Sequence, residues 1–331
     1  MNRRDTITVL LALGATAPLG LQAQQSAKRF RIGVLQVGNE AYLKKTDEGF
    51  LAGLRDRDYV VGQNLIVDFR FGSRDQMPAF ADELIALKPD VLVGTEVTSV
   101  LLKLKTSTIP IVLLSSADPV NAGLVQSLAR PGTNVTGMSG SLYALVAKQV
   151  ELLTEIAPKM SRLALLTSPL PAKDSPYFGR PDIWELATRQ AARSKGLTLL
   201  VARASDPTSL RTAFSDVRNQ RIEGLVIATN AIVIRLSKEI SDDLRSLRIP
   251  VISGYVGFVE DDGLLSYGVN WIETYRYAAK FVDLILKGAK PVDLPVEQVS
   301  KYELMVNQKA ARKLGLKIPQ SILVRADRVI E

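Results

Sequence analysis

The part of the sequence whose residue types and spacing best suit chemistry is a polar stretch that begins at Asp118. It runs from Asp118-Pro119-Val120-Asn121 through Pro131-Gly132 to Asn134-Val135-Thr136-Gly137. Asp118 followed by Pro119 is typical of the N-cap and first position of a helix, and this predicts a short helix. The free N–H groups at a helix start suit an anion or a carboxylate. Capping alone also explains Asp118, so both interpretations stay open.

Histidine and cysteine are both absent from the 331 residues. This excludes Ser-His-Asp catalysis, histidine metal sites, thiol nucleophiles, disulfides and zinc–cysteine sites. We expect no catalytic residue, no metal and no cofactor. A secreted enzyme that uses Glu96, Asp118 or a lysine stays an alternative, although no pair of carboxylates lies at a motif spacing.

Two halves of the sequence repeat one pattern of elements. In the first half, the apolar run 89–95 is followed by a helical stretch and then by 109–112. In the second half, 224–229 and 249–252 have the same arrangement. Short apolar runs that alternate with helical stretches predict parallel sheets covered on both faces. The predicted fold class is therefore α/β, with two Rossmann-like lobes joined by a three-segment hinge.

The chain is predicted to cross between the lobes at 134–137, after 264–268 and at 299–306. These crossings place the first lobe at 30–137 plus 271–296 and the second at 138–270 plus 297–331. Three crossings favour a hinge over a single flexible linker.

In such a fold, ligand contacts come from the carboxyl ends of the strands. The predicted ligand-binding residues of the first lobe are Gln36, Asn39, Thr95, Glu96, Thr98, Ser115, Ser116 and Asp118. Those of the second are Thr167, Ser168, Thr229, Asn230, Tyr255 and Asn270. Thr95 and Thr98 can hold a carboxylate or only cap a helix. Glu96 can bind an amine or face water, and Tyr255 can stack on a planar ligand.

The N-terminus has the composition of an export leader. A basic start, Asn2-Arg3-Arg4-Asp5, precedes an apolar stretch that ends near Leu21-Gln22-Ala23. Because that stretch is short and interrupted by Gly14 and Pro18, residues 1–23 are predicted to be a cleaved signal peptide rather than a membrane anchor. Arg3-Arg4 leaves both Sec and Tat export open. The expected location is the periplasm, as a monomer.

The formal net charge is +8, but lysines and arginines are scattered along the chain. A nucleic-acid site needs a clustered basic footprint, so no nucleic-acid partner is expected. The expected partner is a small-molecule solute.

The stretch from Asp118 to Gly137 resembles the tryptophan/tyrosine-type substrate-binding proteins of ABC transporters. The resemblance continues in Gly263-Leu264-Leu265-Ser266-Tyr267-Gly268, in Ile285–Pro291, in Leu294–Gln298 and from Leu314 to Asp327. It implies a type I periplasmic-binding-protein fold that closes on a small organic solute. It also implies a transient partner, an ABC permease in the inner membrane.

Two positions depart from the family's pattern. Asn270 lies where this family usually carries Asp, and Thr229-Asn230 replaces the usual Asp-Pro. If those carboxylates hold a ligand's ammonium group, their replacement favours a neutral or anionic solute. The expected solute is therefore aromatic amino acid-like or a small carboxylate, and a ligand-binding module of a sensory complex is the alternative function.

Overall fold

A computed structural model describes residues 29–38, 40–170, 182–229, 236, 239–240, 244, 247–255 and 257–331. Its strands are β1 (Phe30–Val37), β2 (Leu65–Gly72), β3 (Val91–Thr95), β4 (Ile111–Ser115), β5 (Val135–Ser139), β6 (Arg162–Thr167), β7 (Thr198–Arg203), β8 (Gly224–Ile227), β9 (Val251–Ser253), β10 (Leu265–Val269), β11 (Glu297–Gln298), β12 (Tyr302–Asn307) and β13 (Arg328–Ile330). Its helices are α1 (Glu40–Arg55), α2 (Met77–Ala86), α3 (Glu96–Lys105), α4 (Leu142–Ile156), α5 (Ile183–Ser194), α6 (Pro207–Asn219), α7 (Gly257–Glu260), α8 (Trp271–Leu286), α9 (Gln308–Leu314) and α10 (Gln320–Arg325).

The strands form two separate sheets. The first has the order β11-β5-β4-β3-β1-β2, and all its pairs are parallel. The second has the order β13-β12-β10-β9-β8-β6-β7. Its pairs are parallel except that β12 runs antiparallel to β10. A parallel sheet must be covered on both faces, and this explains the continuous apolar runs that the strands carry.

Each sheet has a core on both of its faces. In the first sheet, Val34 and Val93 face a cluster with α1 and α8, whereas Leu35 and Leu92 face a cluster with α2 and α3. Successive residues of a strand point to opposite faces, so the two clusters alternate along β1 and β3. The second sheet is covered in the same way by α4 and α5 on one face and by α6 on the other.

The chain passes three times from one sheet to the other, each time from the carboxyl end of a strand. It leaves the first sheet after β5 and enters α4, which packs on the second sheet. It leaves the second sheet after β10 and enters α8, which packs on the first. It leaves the first again after β11 and enters β12. Because this last crossing starts at the carboxyl edge, β12 must run back along the second sheet, and its antiparallel pairing follows.

The predicted class of two parallel α/β sheets with three connections is confirmed, with β12 as an antiparallel exception. Strands β5 and β11 extend to Ser139 and Gln298 in the first sheet, two residues beyond the predicted lobe limits at 137 and 296. Residues 1–23, the predicted signal peptide, lie outside the described residues. None of the helices in the described part of the chain has the length and apolar character needed to cross a bilayer.

Candidate functional site

The carboxyl ends of the strands of both sheets face the region of the three crossings. Gly140 N donates to Ser116 O at 2.6 Å, and this hydrogen bond connects the exit of β4 to the first crossing. Ala117, just beyond that exit, packs against the core of the second sheet. Ser141 N donates to the hydroxyl of Tyr302, at the start of β12, at 3.2 Å. The two carboxyl edges therefore meet at the crossings, where ligand sites of parallel α/β sheets form.

Glu96 organises the exit of β4. Its Oε2 accepts hydrogen bonds from Ser116 Oγ at 2.6 Å, Ala117 N at 2.8 Å and Asp118 N at 3.1 Å. A single carboxylate oxygen thus holds three donors of one loop, and bonds to an ionised acceptor are among the stronger ones. Glu96 is half-buried, and these three donors engage its Oε2, so the carboxylate has a structural role that the sequence did not predict, while its contact with a ligand amine stays a prediction.

The predicted helix after Asp118 is wrong, because the segment forms a hydrogen-bonded turn. Ala122 N donates to Asp118 O and Leu124 N donates to Pro119 O, but no helix continues from them. Asp118 does cap this turn, since Oδ1 accepts from Asn121 N at 3.0 Å and Oδ2 accepts from Asn121 Nδ2 at 2.6 Å. Because no helix begins at Asp118, no helix dipole favours an anion there.

Thr95 and Thr98 cap the first turn of α3. Thr95 N donates to Thr98 Oγ1 at 3.0 Å, and the two residues form a capping box. The pairing of β3 with β4 shifts register between Gly94 and Thr95, so that Thr95 lies opposite Ser115. Such an irregularity bends the strand end and re-aims its side chains. Thr95 and Ser115 are half-buried at this edge, whereas Thr98 is fully buried.

Gln36 is buried at the end of β1, with 0% exposure. Gln36 Nε2 donates to Asp47 Oδ1 at 2.6 Å, and the hydroxyl of Tyr275 donates to Gln36 Oε1 at 3.4 Å. Both ends of the amide are therefore engaged within the protein, and a ligand contact of Gln36 stays a prediction. Asn39, predicted two residues after β1, lies outside the described residues.

Asp47 is a buried carboxyl group with an altered titration. It is 7% exposed, and burial raises its pKa from 3.8 to about 6, with Glu40 adding to the rise and the Gln36 hydrogen bond opposing it. The folded state then binds more protons than the unfolded state between these two pH values. Its contribution to stability is therefore present below pH 4 and is lost as the pH rises through about 6.

This sign gives a prediction for Asp47→Asn. The variant keeps an acceptor for Gln36 without burying a charge. Near neutral pH, its free energy of unfolding is therefore expected to be up to about 3 kcal/mol higher than that of the wild type. The difference is expected to shrink towards pH 4. Urea unfolding of both proteins across this range measures it. Equal stability of the two proteins at every pH would contradict the assignment.

On the second sheet, a group of buried polar atoms lies at the ends of β8 and β9. Thr229 Oγ1 is buried and has no hydrogen-bond partner among the described residues. Gln149 of α4 is fully buried, and its Nε2 donates to Tyr267 O at 2.9 Å while its Oε1 has no partner among those residues. A Cβ added at Gly254 would lie 3.3 Å from Gln149 Nε2 and would overlap Thr229 Oγ1. Buried polar atoms without partners require water or a ligand.

Gln149 is not among the residues that the sequence predicts for the site. The sequence does mark Gln149 as unusual, because it is a polar residue on the apolar face of α4, where Leu145, Leu152 and Leu153 are core residues. Asn230, predicted beside Thr229, lies outside the described residues.

The other predicted residues of the second lobe occupy the same edge. Thr167 is buried at the end of β6, and Ser168 O accepts from Arg203 Nη1 at 2.8 Å. Tyr255 follows β9, and its N–H donates to Ser253 Oγ at 3.1 Å. Burial, with Asp261 and Glu260 nearby, raises the pKa of Tyr255 above its usual value. Its ring packs on the α6-side core, so stacking on a planar ligand stays a prediction.

Asn270 connects α8 to the second sheet. Its Oδ1 accepts from Glu273 N at 3.1 Å and so caps α8, and its Nδ2 donates to Glu303 Oε1 at 2.9 Å. A groove of about 470 Å³ beside the crossings is lined by Asn270 and Glu303, and also by Glu297 from the first sheet. The amide of Asn270 thus connects the two sheets, because its oxygen binds α8 of the first and its nitrogen binds β12 of the second.

This geometry predicts the effect of Asn270→Asp. A carboxylate at this position would keep the cap but face Glu303 with a second negative charge, so the free energy of unfolding at neutral pH is expected to fall by about 1–2 kcal/mol. The double variant Asn270→Asp/Glu303→Gln is expected to recover most of the loss, because the amide then donates to the new carboxylate. Chemical denaturation of both variants checks this, and an unrecovered double variant would contradict it.

Comparison with known proteins gives a consistent result. The family model of the ABC transporter substrate binding protein matches residues 31–330. A tyrosine-binding protein of Clostridioides difficile (strain R20291) is 25% identical over 309 residues, which cover 92% of this chain and 86% of that protein. A Streptococcus pneumonia protein solved in complex with L-Trp is 26% identical with a TM-score of 0.81, covering 92% of this chain and 100% of that one. A conserved domain protein of Vibrio cholerae is 28% identical with a TM-score of 0.81, covering 91% and 100%.

Proposed function

Because this chain belongs to the family of ABC transporter substrate-binding proteins, we propose that it captures an aromatic amino acid or a related small carboxylate between its two sheets and delivers it to a membrane permease. The observation that carries the proposal is that all three crossings leave from carboxyl strand ends. This topology supports the proposal because it sets the carboxyl edges of two sheets against each other, where ligand sites of parallel sheets form, and joins them by segments that can act as a hinge.

The chemistry of these edges suits capture without reaction. The residues placed there offer hydroxyl groups and amides, among them Thr95, Ser115, Thr229 and Gln149. Such groups orient a small polar ligand by hydrogen bonds, while apolar surface supplies affinity. In the described part of the chain, no group of three or more acidic side chains could hold a metal ion.

The relatives support the choice of solute. One is named a tyrosine-binding protein, and another was solved with L-Trp. Asn270 and Thr229 offer no carboxylate for a ligand's ammonium group, so a deaminated aromatic acid is a second solute of the same class. We further propose that the chain is exported to the periplasm through its N-terminal leader and acts there as a monomer.

Calorimetric titration tests the proposal with four probes: L-tryptophan, L-tyrosine, indole-3-propionate and tryptamine. Binding of at least one of the first three with a Kd of about 10 μM or below is the expected result, and tryptamine, which has no carboxylate, is expected to bind about 100-fold more weakly. The solute recovered after incubation should be chemically unchanged. Failure of the three carboxylates to bind, or conversion of any of them into a product, would overturn the proposal.

A further inference from the structure

A buried carboxylate that the proposed site does not use lies directly behind the exit of β1. Asp47 of α1 is 7% exposed and accepts from Gln36 Nε2 at 2.6 Å. The other end of that amide, Gln36 Oε1, accepts from the hydroxyl of Tyr275 in α8 at 3.4 Å. Gln36 therefore connects one strand end to two helices through a single side chain.

The two helices are held together at backbone distance. A Cβ at Gly49 of α1 would lie 2.6 Å from Ile272 O of α8, and a Cβ at Gly53 would overlap Arg276 O. The absence of side chains at these two glycines lets α1 and α8 approach this closely. The N-cap residue of α8, Asn270, is hydrogen-bonded to Glu303 of the second sheet. The Asp47–Gln36–Tyr275 contacts thus connect the exit of β1 with a crossing.

An ionised carboxylate can only accept hydrogen bonds, so it requires Gln36 to present its NH₂ group to α1 and its oxygen to Tyr275. A protonated carboxyl can also donate. The Gln36 amide could then rotate by half a turn and present its NH₂ group to Tyr275. The charge of Asp47 therefore selects one of two orientations for the amide.

We propose that Asp47 is a positioning residue for solute capture: its negative charge fixes the amide of Gln36 and, through it, the exit of β1 relative to α8. The consequence for binding rests on the proposed function, since it requires that the exit of β1 contributes to the solute site. The consequence for the Gln36 amide does not.

The charge can change within an accessible pH range. Burial raises the pKa of Asp47 to about 6. Among the residues that the structure describes, the polar and charged groups that face it are Gln36 from β1 and Glu40 from its own helix, with Tyr275 of α8 on the far side of Gln36. Glu40 adds to the rise in pKa because it places a second negative charge nearby. Acidification from pH 7.5 to pH 5 is therefore expected to weaken solute binding by about tenfold, a typical coupling between two sites.

The test combines nuclear magnetic resonance with calorimetry on the full chain. The side-chain amide of Gln36 is observed in protein labelled with ¹⁵N-glutamine and is assigned by its loss in Gln36→Met. The matched control is Glu48→Gln, which removes an exposed carboxylate from the adjacent position of α1. L-tryptophan serves as the binding probe.

The Gln36 resonance is expected to shift with a midpoint near pH 6 in the wild type and in Glu48→Gln, and to stay constant in Asp47→Asn. The Kd for L-tryptophan is expected to rise about tenfold between pH 7.5 and pH 5 in the first two proteins and less than about twofold in Asp47→Asn. A Gln36 resonance that does not change with pH in the wild type would overturn the inference. A pH dependence of the Kd that persists in Asp47→Asn would do the same.

The two proposals fail separately. If L-tryptophan binds at neither pH, it is not the solute. The Gln36 resonance still shows whether the charge of Asp47 controls the orientation of the Gln36 amide. If L-tryptophan binds equally well at both pH values while the resonance shifts, the proposed function stands and the positioning role is wrong.

Discussion

Replacing Glu96 by alanine is expected to abolish most solute binding and to lower the free energy of unfolding by about 3 kcal/mol. The physical reason is that one carboxylate oxygen holds three donors, Ser116 Oγ, Ala117 N and Asp118 N. Without it, two backbone N–H groups of a half-buried loop lose their acceptor. If binding must then supply the same energy to order the loop, the Kd for the solute rises by about 100-fold.

Two further variants distinguish this role from a general effect of charge. Glu96→Gln keeps an acceptor oxygen without the charge and is expected to lose only about 1 kcal/mol. Glu83→Ala removes a carboxylate that pairs with Arg70 at the surface and is 51% exposed, so it is expected to change stability by less than about 1 kcal/mol. If Glu96→Ala bound the solute as tightly as the wild type, the loop would not be a part of the site.

The second large effect is expected at Gly268, in β10. A Cβ at this position would overlap the backbone oxygen and the Cα of Gly254, at the end of β9. Since two backbones meet there, no side-chain rotation can relieve the overlap. Gly268→Ala is therefore expected to cost about 3 kcal/mol and to displace the strand end that carries Tyr255 and lies beside Thr229. Solute binding should be lost together with this stability.

Gly140→Ala is the matched control for Gly268→Ala. Gly140 lies in the first crossing, where the nearest atom to an added Cβ is Ser116 O at an ordinary 3.7 Å. Its substitution is expected to change the midpoint of urea unfolding little and to leave binding within about twofold of the wild type. A Gly268→Ala protein as stable as Gly140→Ala would show that β9 and β10 can separate without cost.

The architecture could be predicted from the sequence because it depends on long, redundant patterns. The repeated apolar runs at 89–95 and 224–229 are β3 and β8, and both lie inside their sheets. The cap of the helix after β12 is a local signal of the same kind, since Asn307 precedes the helix directly and its Oδ1 accepts from Ala310 N at 2.8 Å. Such signals are local, and each of them is supported by its neighbours in the sequence.

Individual roles at the site were harder to predict because they depend on contacts between residues that are distant in the sequence. Gln36 lies at a strand exit as predicted, but Asp47 and Tyr275 engage its amide. Glu96 binds donors of a loop that lies twenty or more residues later in the sequence. Asp118 has the sequence of a helix cap, yet the hydrogen bonds that follow it close only a turn. No pattern in the sequence shows which partner such a group will find.

If the two sheet-based lobes close on an unmodified solute, the distance between them must change when the solute binds. The chain has no cysteine, so Leu104→Cys in α3 and Val324→Cys in α10 give two unique labelling positions at side chains that are 70% and 75% exposed. Resonance energy transfer between dyes at these positions is followed as L-tryptophan, or whichever carboxylate of the panel binds, is added. A saturable shift to a single new distance, with the solute recovered intact, is the predicted result. An unchanged distance at full occupancy measured by calorimetry would contradict capture by closure.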